Sequence, residues 1–246
     1  MKNMGNYLTK LKSKNDAQLQ KAAKSCEPQY CKWWIEKGAN VNCKDFNGTT
    51  PLFWPSMKGD IDTAKVLCDY DADVEISDKT GQTPIYWAVR NGHYELAKML
   101  LDRLPNEEKT CFNNVSGIEE SIFSKPCEDG NLEMVDLLLR KGKETYIKAS
   151  LNTKDRRGKT PLNHASGYRD IVMKLCDYGA DIELSESDGL SMLYKPCRDD
   201  DKEMVKYLIK KGANPSGDDC LNIALELYND EIVTTLVENG SDVNKV

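Results

Sequence analysis

A short phrase recurs along this chain at an interval of 33 residues. Thr50-Pro51-Leu52 is followed by Thr83-Pro84-Ile85, and Thr160-Pro161-Leu162 lies further on. In each copy the threonine can cap a helix that begins at the proline, where the missing proline N–H costs no hydrogen bond. A phrase that returns at this interval indicates a row of similar small units, each packed on its neighbours.

The copy between Gly81 and Leu104 shows what one unit contains. Ile85, Ala88 and Val89 share one face of a first short helix, which ends at the glycine that follows Asn91. The inner face of a second helix carries Leu96, Ala97, Leu100 and Leu101. Neither helix is long enough to be stable alone, so the unit requires neighbours on both sides.

The same pattern can be followed through the chain when Thr83 serves as the reference position. The equivalent residues are Ala17, Thr50, Thr83, Ser121, Thr160, Ser191 and Asp219. A small residue or a proline stands five places after each, at Ala22, Pro55, Ala88, Pro126, Ala165, Pro196 and Ala224. The array therefore covers nearly the whole chain.

The repeat period and the Gly-x-Thr-Pro-Leu pattern together resemble the ankyrin repeat family. The resemblance implies an all-α fold, a solenoid of about seven helix–loop–helix repeats joined by hairpin-like loops. We expect an amphipathic capping segment at residues 1–15 and an ankyrin repeat domain at residues 16–246. The predicted repeats span about 16–48, 49–81, 82–116, 117–157, 158–187, 188–216 and 217–246.

Two stretches depart from the regular repeat length. Residues 105–116 and 143–153 are predicted to be inserted loops, which a solenoid tolerates because a longer loop costs little extra closure entropy. Inserted loops can carry contacts that give a protein its specificity. Drift without function accounts for them equally well.

Three repeats carry proline where the others have a small residue, at Pro55, Pro126 and Pro196. The repeat alignment places each one inside a first helix, where proline removes a hydrogen bond and costs about 3 kcal/mol. We therefore expect these helices to be kinked or shortened. Inheritance by repeat duplication and a reshaped binding groove both remain as explanations.

Composition limits the classes of partner. A net charge of -6 and a pI of about 5.2 argue against nucleic acid, because neutralisation of phosphates supplies most of that affinity. No apolar run approaches the length of a membrane span. Nine cysteines without paired spacing and only two histidines predict no metal site and no cofactor. We expect a monomer in a reducing, cytoplasmic compartment.

The sequence carries no recognisable catalytic pattern. His93 stands where it can cap or pack a second helix, and His164 has no serine, cysteine and acid arranged nearby as a relay. No phosphate-binding glycine loop is present. Trp33-Trp34 is interpreted as a bulky core pair of the first repeat. We therefore predict that the protein is not an enzyme.

The resemblance implies that the protein binds a partner. In the ankyrin family, partners usually touch the loop tips and the first helices. We predict a protein–protein interaction scaffold or adaptor that binds another protein. The predicted contact residues are Phe46, Trp54, Met57, Lys79, Trp87, Arg90, Arg156, Arg157 and Arg198. The alternative is an effector or inhibitor that masks a partner enzyme with the inserted loops 105–116 and 143–153.

Five of these residues form the sharpest hypothesis. Trp54 and Trp87 occupy the same place in adjacent repeats, so we expect them side by side on the layer of first helices. Phe46, Met57 and Arg90 complete this predicted patch. Aromatic and arginine anchors dominate the energetics of interfaces. The alternative is that both tryptophans pack sideways against the next helix.

Overall fold

A computed structural model of the chain describes residues 2–104, 120–142, 144–185, 191–216 and 218–242. These residues form α-helices and connecting turns, and no β-strand occurs among them. The all-α prediction is confirmed. The chain divides into two compact units, Met1–Ile118 and Glu119–Val246.

The described part of the first unit, residues 2–104, contains three pairs of helices. The first helices of the pairs are α1 (Lys2–Lys24), α3 (Phe53–Lys58) and α5 (Pro84–Arg90). The second helices are α2 (Pro28–Glu36), α4 (Ile61–Asp69) and α6 (Tyr94–Asp102). Helix α3 packs between α1 and α5, while α4 packs between α2 and α6. The unit therefore has one layer of first helices and one layer of second helices.

The second unit repeats the pattern with four pairs and one additional helix. The first helices are α7 (Ser124–Glu128), α10 (Pro161–His164), α12 (Tyr194–Arg198) and α14 (Asp218–Glu226). The second helices are α8 (Leu132–Lys141), α11 (Arg169–Asp177), α13 (Lys202–Lys210) and α15 (Asp230–Glu238). The additional helix is α9 (Glu144–Leu151), and a 3-10 turn spans Glu183–Ser185. Contacts join α7 to α10, α8 to α11, α12 to α14 and α13 to α15.

Helix α5 forms as the sequence predicts. The Thr83 hydroxyl accepts a hydrogen bond from the Tyr86 N–H at 3.2 Å, and Pro84 is the first helical residue. Ile85 and Ala88 are fully buried. The same threonine cap begins α10, where the Thr160 hydroxyl accepts from the backbone N–H three residues on.

The prediction that Pro55, Pro126 and Pro196 each remove a helical hydrogen bond is wrong. Helices α3, α7 and α12 begin two residues later in the repeat than α5 does, so each proline is the third residue of its helix. The first four N–H groups of a helix have no partner within it, and the missing proline N–H is one of those four. These helices have six, five and five residues against seven in α5, but α10 has four residues without a proline at the equivalent place, so helix length does not follow the proline.

A tight turn replaces the threonine cap in these three repeats. The N–H of Phe53 donates to the Thr50 carbonyl at 3.1 Å, and the same turn joins Ser124 to Ser121 at 3.0 Å. Tyr194 makes the third such turn, with the carbonyl of Ser191 at 2.9 Å. The turn consumes two residues that α5 includes in its helix, which explains the later start.

The prediction of a loop over 143–153 is also wrong, because α9 occupies Glu144–Leu151. Ile147, Ser150 and Leu151 lie at helical spacing and are buried. The Ser150 and Ser121 hydroxyl oxygens lie 2.9 Å apart in a hydrogen bond. The added residues therefore build part of the core. The other predicted insertion, 105–116, lies outside the described residues.

The N-terminal segment is continuous with the first repeat. Helix α1 runs without interruption from Lys2 to Lys24, across the predicted boundary between residues 15 and 16. Leu19 and Ala23 are fully buried in the first unit. The capping role of residues 1–15 stays a prediction.

The interpretation of Trp33-Trp34 as a core pair is wrong for Trp33, whose exposed fraction is 47%. Only Cys31 of α2 is fully buried, because α2 contributes a narrow apolar face to the layer of second helices. The two tryptophan rings meet edge to face with centroids 4.4 Å apart. Trp33 therefore covers the outside of α2.

Candidate partner-binding surface

Three hairpin-like tips are organised by an aspartate that the sequence analysis passed over. Asp45 Oδ1 accepts from the N–H groups of Asn47 and Thr49 at 2.8 and 2.9 Å. Asp78 and Asp155 accept in the same way from the residues two and four places further on. The available signal was an aspartate five places before Thr50, Thr83 and Thr160, since side-chain oxygens of this kind close turns on their own backbone.

Neighbouring tips of the first unit are joined through their backbones. The N–H of Lys79 donates to the carbonyl of Asn47 at 2.9 Å. Gly48 permits this approach, because its φ is +83° and a Cβ there would lie 3.1 Å from Lys79 N. Phe46, with an exposed fraction of 81%, and the exposed Lys79 side chain thus stand on adjoining tips.

Trp54 is half-buried and is held by two residues of α1. Its indole N–H donates to Gln20 Oε1 at 3.1 Å, and Lys24 Nζ lies 4.7 Å from the ring centroid. Gln20 also donates from Nε2 to the carbonyls of Cys43 and Thr49, at 3.0 and 2.9 Å. Gln20 therefore ties the first helix to the next tip, a role that the sequence analysis missed.

Trp87 and Arg90 share a support on α5. Both contact Tyr86, which is 6% exposed: the Trp87 ring stands edge-on at 5.9 Å, and Arg90 Nη1 donates to the Tyr86 hydroxyl at 3.0 Å. Trp87 remains half-buried. Because α3 packs on α5, Trp54 and Trp87 occupy equivalent places on neighbouring helices.

Met57 completes the predicted patch at the end of α3. Its side chain is half-buried, and its carbonyl accepts from Asn91 Nδ2 at 2.8 Å. His93 Nε2 lies 3.1 Å from the same carbonyl. We name Phe46, Trp54, Met57, Trp87 and Arg90 the aromatic patch. All five lie on the tips or first helices of one unit.

The remaining predicted contacts belong to the second unit. Arg156 and Arg157 are exposed on the tip that Asp155 organises. Arg198, at the end of α12, is exposed and pairs through Nε with Asp199 Oδ1 at 2.9 Å.

His164 supports a tip through an acid. Its Nε2 lies 3.0 Å from Asp155 Oδ2, and both side chains are only 14% exposed. Burial disfavours the charged form of the Asp155 carboxyl, but its backbone N–H donors and the His164 ring outweigh burial, so the pKa of Asp155 is lowered. The arrangement holds a turn in place.

Replacing Asp155 with alanine should destabilise the second unit by about 1.5–3 kcal/mol, because the N–H groups of Arg157 and Lys159 lose a charged acceptor. Asp155→Asn should cost less, since its amide oxygen can still accept. The measurement is urea denaturation followed by circular dichroism. Because the folded pKa is lowered, the wild-type advantage should be present above the ordinary carboxyl pKa of about 4 and should vanish as the pH falls through the folded value. An equal loss in both variants, unchanged by pH, would contradict this role.

Other chemistry is sparse in the part of the chain that the structure describes. No group of three potential metal ligands occurs there, and no helix there is both long and apolar enough to cross a membrane. Burial raises the pKa of the Cys31 and Cys43 thiols to about 12, and that of Cys68 and Cys176 to about 11. These thiols are therefore protonated packing groups near neutral pH.

Comparison with protein families decides what kind of repeat this is. The model described as "Ankyrin repeats (3 copies)" matches residues 19–113, 104–186 and 181–246. The chain belongs to the ankyrin repeat family. The resemblance drawn from the Thr-Pro phrases is thereby confirmed, and ankyrin repeats imply protein–protein interaction.

Curated relatives of this ankyrin repeat protein are longer than the region they share with it. A putative ankyrin repeat protein of Acanthamoeba polyphaga mimivirus is 29% identical over 196 residues, which cover 75% of this chain and 24% of that protein. A putative ankyrin repeat protein of Fowlpox virus (strain NVSL) is 27% identical over 129 residues, 51% of this chain and 18% of the relative. Protein phosphatase 1 regulatory subunit 27 of Mus musculus is 33% identical over 95 residues, 38% of this chain and 58% of the relative.

Proposed function

We propose that this ankyrin repeat protein is a scaffold or adaptor without catalytic activity, which binds a partner protein through loop tips and first helices. One observation carries the proposal: Trp54 and Trp87 stand half-buried at equivalent places on packed helices, each supported by a neighbouring polar or aromatic side chain. Tryptophan is the residue type most enriched among side chains that dominate binding.

Preorganisation strengthens the proposal. Gln20 and Lys24 hold Trp54, and Tyr86 holds both Trp87 and Arg90. Side chains that are already fixed lose less conformational entropy when a partner binds, so more of the contact energy appears as affinity. The full proposed contact set is Phe46, Trp54, Met57, Lys79, Trp87, Arg90, Arg156, Arg157 and Arg198. We also propose that the protein acts as a monomer in a reducing, cytoplasmic compartment, where its buried thiols remain reduced.

The double variant Trp54→Ala/Trp87→Ala should lose at least about tenfold in partner capture, because truncating two anchors typically costs more than 1 kcal/mol each. The measurement is a quantitative pull-down from native cell extract with the immobilised full chain, read by mass spectrometry.

Trp33→Ala is the matched control, since Trp33 is an exposed tryptophan on a second helix. It should leave the captured proteins unchanged. Melting curves of all three proteins separate binding from folding. A large loss of melting temperature in the double variant would assign both tryptophans to packing, and unchanged capture would overturn the proposal.

A second candidate function is masking of a partner enzyme. It is favoured by the similarity to the mouse protein named as a phosphatase regulatory subunit. Replacing residues 105–116 with a glycine–serine segment of equal length would test it. Loss of partner capture with folding intact supports masking through that segment, and full capture argues for the adaptor.

A further inference from the structure

The first unit gathers positive charge on the side that carries the aromatic patch. Exposed lysines lie on α1, on α3 and on the adjoining tips, and Arg90 lies on α5. We name this set the cationic strip. Its members are Lys21, Lys24, Lys44, Lys58, Lys79 and Arg90.

Among the described residues, the acids of this unit do not pair with the lysines of the cationic strip. Within the described residues, no carboxylate lies within 4.0 Å of any of its five lysines. The two aspartates on the tips, Asp45 and Asp78, direct Oδ1 at backbone N–H groups of their own turns. The Oδ1 atoms therefore face the backbone of their own turns. Phe46 and Lys79 directly follow these aspartates on the two tips and have exposed side chains.

Several other acids of the unit lie on the second helices, among them Glu36, Asp62 and Asp69. Glu36 pairs with Lys32 on α2, and Asp69 at the end of α4 pairs with Arg103 after α6. Residues 1–118 hold sixteen lysines and arginines against fifteen aspartates and glutamates, so the unit is nearly neutral as a whole. Acids also occur outside the second helices, with Asp16 on α1 and with Asp71, Asp73 and Glu75 between α4 and α5. The cationic strip is therefore defined by lysines that pair with no described carboxylate, and not by a separation of charge between layers.

Cations and aromatic rings are interleaved on the cationic strip. Lys24 lies over the Trp54 ring at 4.7 Å, and Lys58 Nζ donates to the Lys24 carbonyl at 2.5 Å. Arg90 lies 5.9 Å from the centroid of the Tyr86 ring. The Trp54 and Tyr86 rings thus each have a positive charge beside them, which favours a ligand that combines negative charge with apolar groups.

We propose that the cationic strip and the aromatic patch select an acidic segment of the partner protein, with carboxylates on the lysines and apolar side chains on Trp54 and Trp87. This inference rests on the proposed adaptor function and names the chemistry of its partner. Three neighbouring helices at about 10 Å spacing span about 20 Å, which matches about six residues of extended peptide. Nucleic acid is disfavoured because the chain as a whole carries a net charge of -6.

The experiment is selection from a phage-displayed library of random peptides against the immobilised full chain. Peptides rich in aspartate and glutamate should be enriched. The best peptide, labelled with fluorescein, should bind at least about tenfold more tightly than the same peptide with glutamine at every acidic position. Fluorescence anisotropy gives both dissociation constants.

Charge reversal locates the binding site. Lys24→Glu/Lys58→Glu should weaken binding of the acidic peptide by at least about tenfold, and Lys21→Glu/Lys79→Glu provides a second test should the first variant fold poorly. Lys65→Glu/Lys98→Glu is the matched control, because both lysines are exposed on second helices of the same unit. The control should retain the wild-type dissociation constant.

Several results would overturn the inference. One is the selection of neutral or basic peptides, or of no peptide. Another is that the glutamine peptide binds as tightly as the acidic peptide, or that the control pair Lys65→Glu/Lys98→Glu weakens binding as much as Lys24→Glu/Lys58→Glu does. A third is that a thymidine oligonucleotide of the same charge binds more tightly than the acidic peptide. If neutral peptides are selected and still require Trp54 and Trp87, the adaptor function stands and only the acidic specificity falls. Loss of tryptophan dependence would instead count against the adaptor function.

Discussion

Phe53→Ala is expected to lower the free energy of unfolding of the first unit by about 3–5 kcal/mol. Phe53 is 1% exposed and is among the largest fully buried side chains. It begins α3, which packs between α1 and α5, so the cavity would open between three helices. Urea denaturation of the full chain, followed by circular dichroism, measures the loss. Because repeat units contact mainly their neighbours, the first unit of this variant is expected to unfold at a lower urea concentration than the second.

Phe46→Ala is the control for this substitution. Phe46 lies seven residues earlier, and its exposed fraction is 81%. Removing its ring should change the free energy of unfolding by less than about 0.5 kcal/mol, because surface substitutions away from special contacts do little. Equal losses in the two variants would contradict the assignment of Phe53 to the core and of Phe46 to the partner-binding surface.

Ala88→Pro should cost about 3 kcal/mol or more, although three other repeats carry proline at the equivalent place. Ala88 is the fifth residue of α5, where its N–H can donate to the carbonyl four residues earlier. It is also fully buried, so the proline ring must displace neighbours. Chemical denaturation measures the change, and a smaller loss would mean that α5 can adopt the later start seen in α3.

The reciprocal variant Pro55→Ala should change stability by less than about 1 kcal/mol. Pro55 is the third residue of α3, so alanine restores no helical hydrogen bond, and it loosens the unfolded chain. Stabilisation by about 3 kcal/mol would mean that the proline does break the helix. The same denaturation experiment measures both variants. A large loss is expected for Ala88→Pro and a small change for Pro55→Ala, so each variant serves as the control for the other.

The sequence predicts the fold well wherever local chemistry decides the structure. Thr83 and Pro84 specify the start of α5 because the side-chain cap and the fixed proline φ both act within one turn. The leucines of α6 at helical spacing are buried as expected. These signals recur with the repeat period, so the pairing of helices follows from them.

Prediction fails where the backbone adopts different conformations at positions that the repeat alignment treats as equivalent. Thr50 and Thr83 are the same residue type, yet the turn after Thr50 delays α3 by two residues. Ile147 and Leu151 have helical spacing, but α9 departs from the repeat length and was therefore expected to be a loop. Trp33 was assigned by size to the core, although the narrow apolar face of α2 leaves no room for it.

The candidate partner-binding surface is predictable only in part. The tip position of Phe46 and the equivalent places of Trp54 and Trp87 follow from the repeat. The Asp45 support is marked in the sequence by its place five residues before Thr50, but the Gln20 support is not, because Gln20 reaches Trp54 across 34 residues of sequence. A support like that of Gln20 becomes visible only when the distances between chain segments are known.

Gly48 sets the distance between two neighbouring loop tips, although it is not itself among the proposed contact residues. Any Cβ there would meet Lys79 N at 3.1 Å and would also carry the cost of a φ of +83°. Such a change would leave every proposed contact residue intact and would alter the spacing between Phe46 and Lys79. A substitution at Gly48 is therefore expected to change the proposed binding surface without replacing any residue that lies on it.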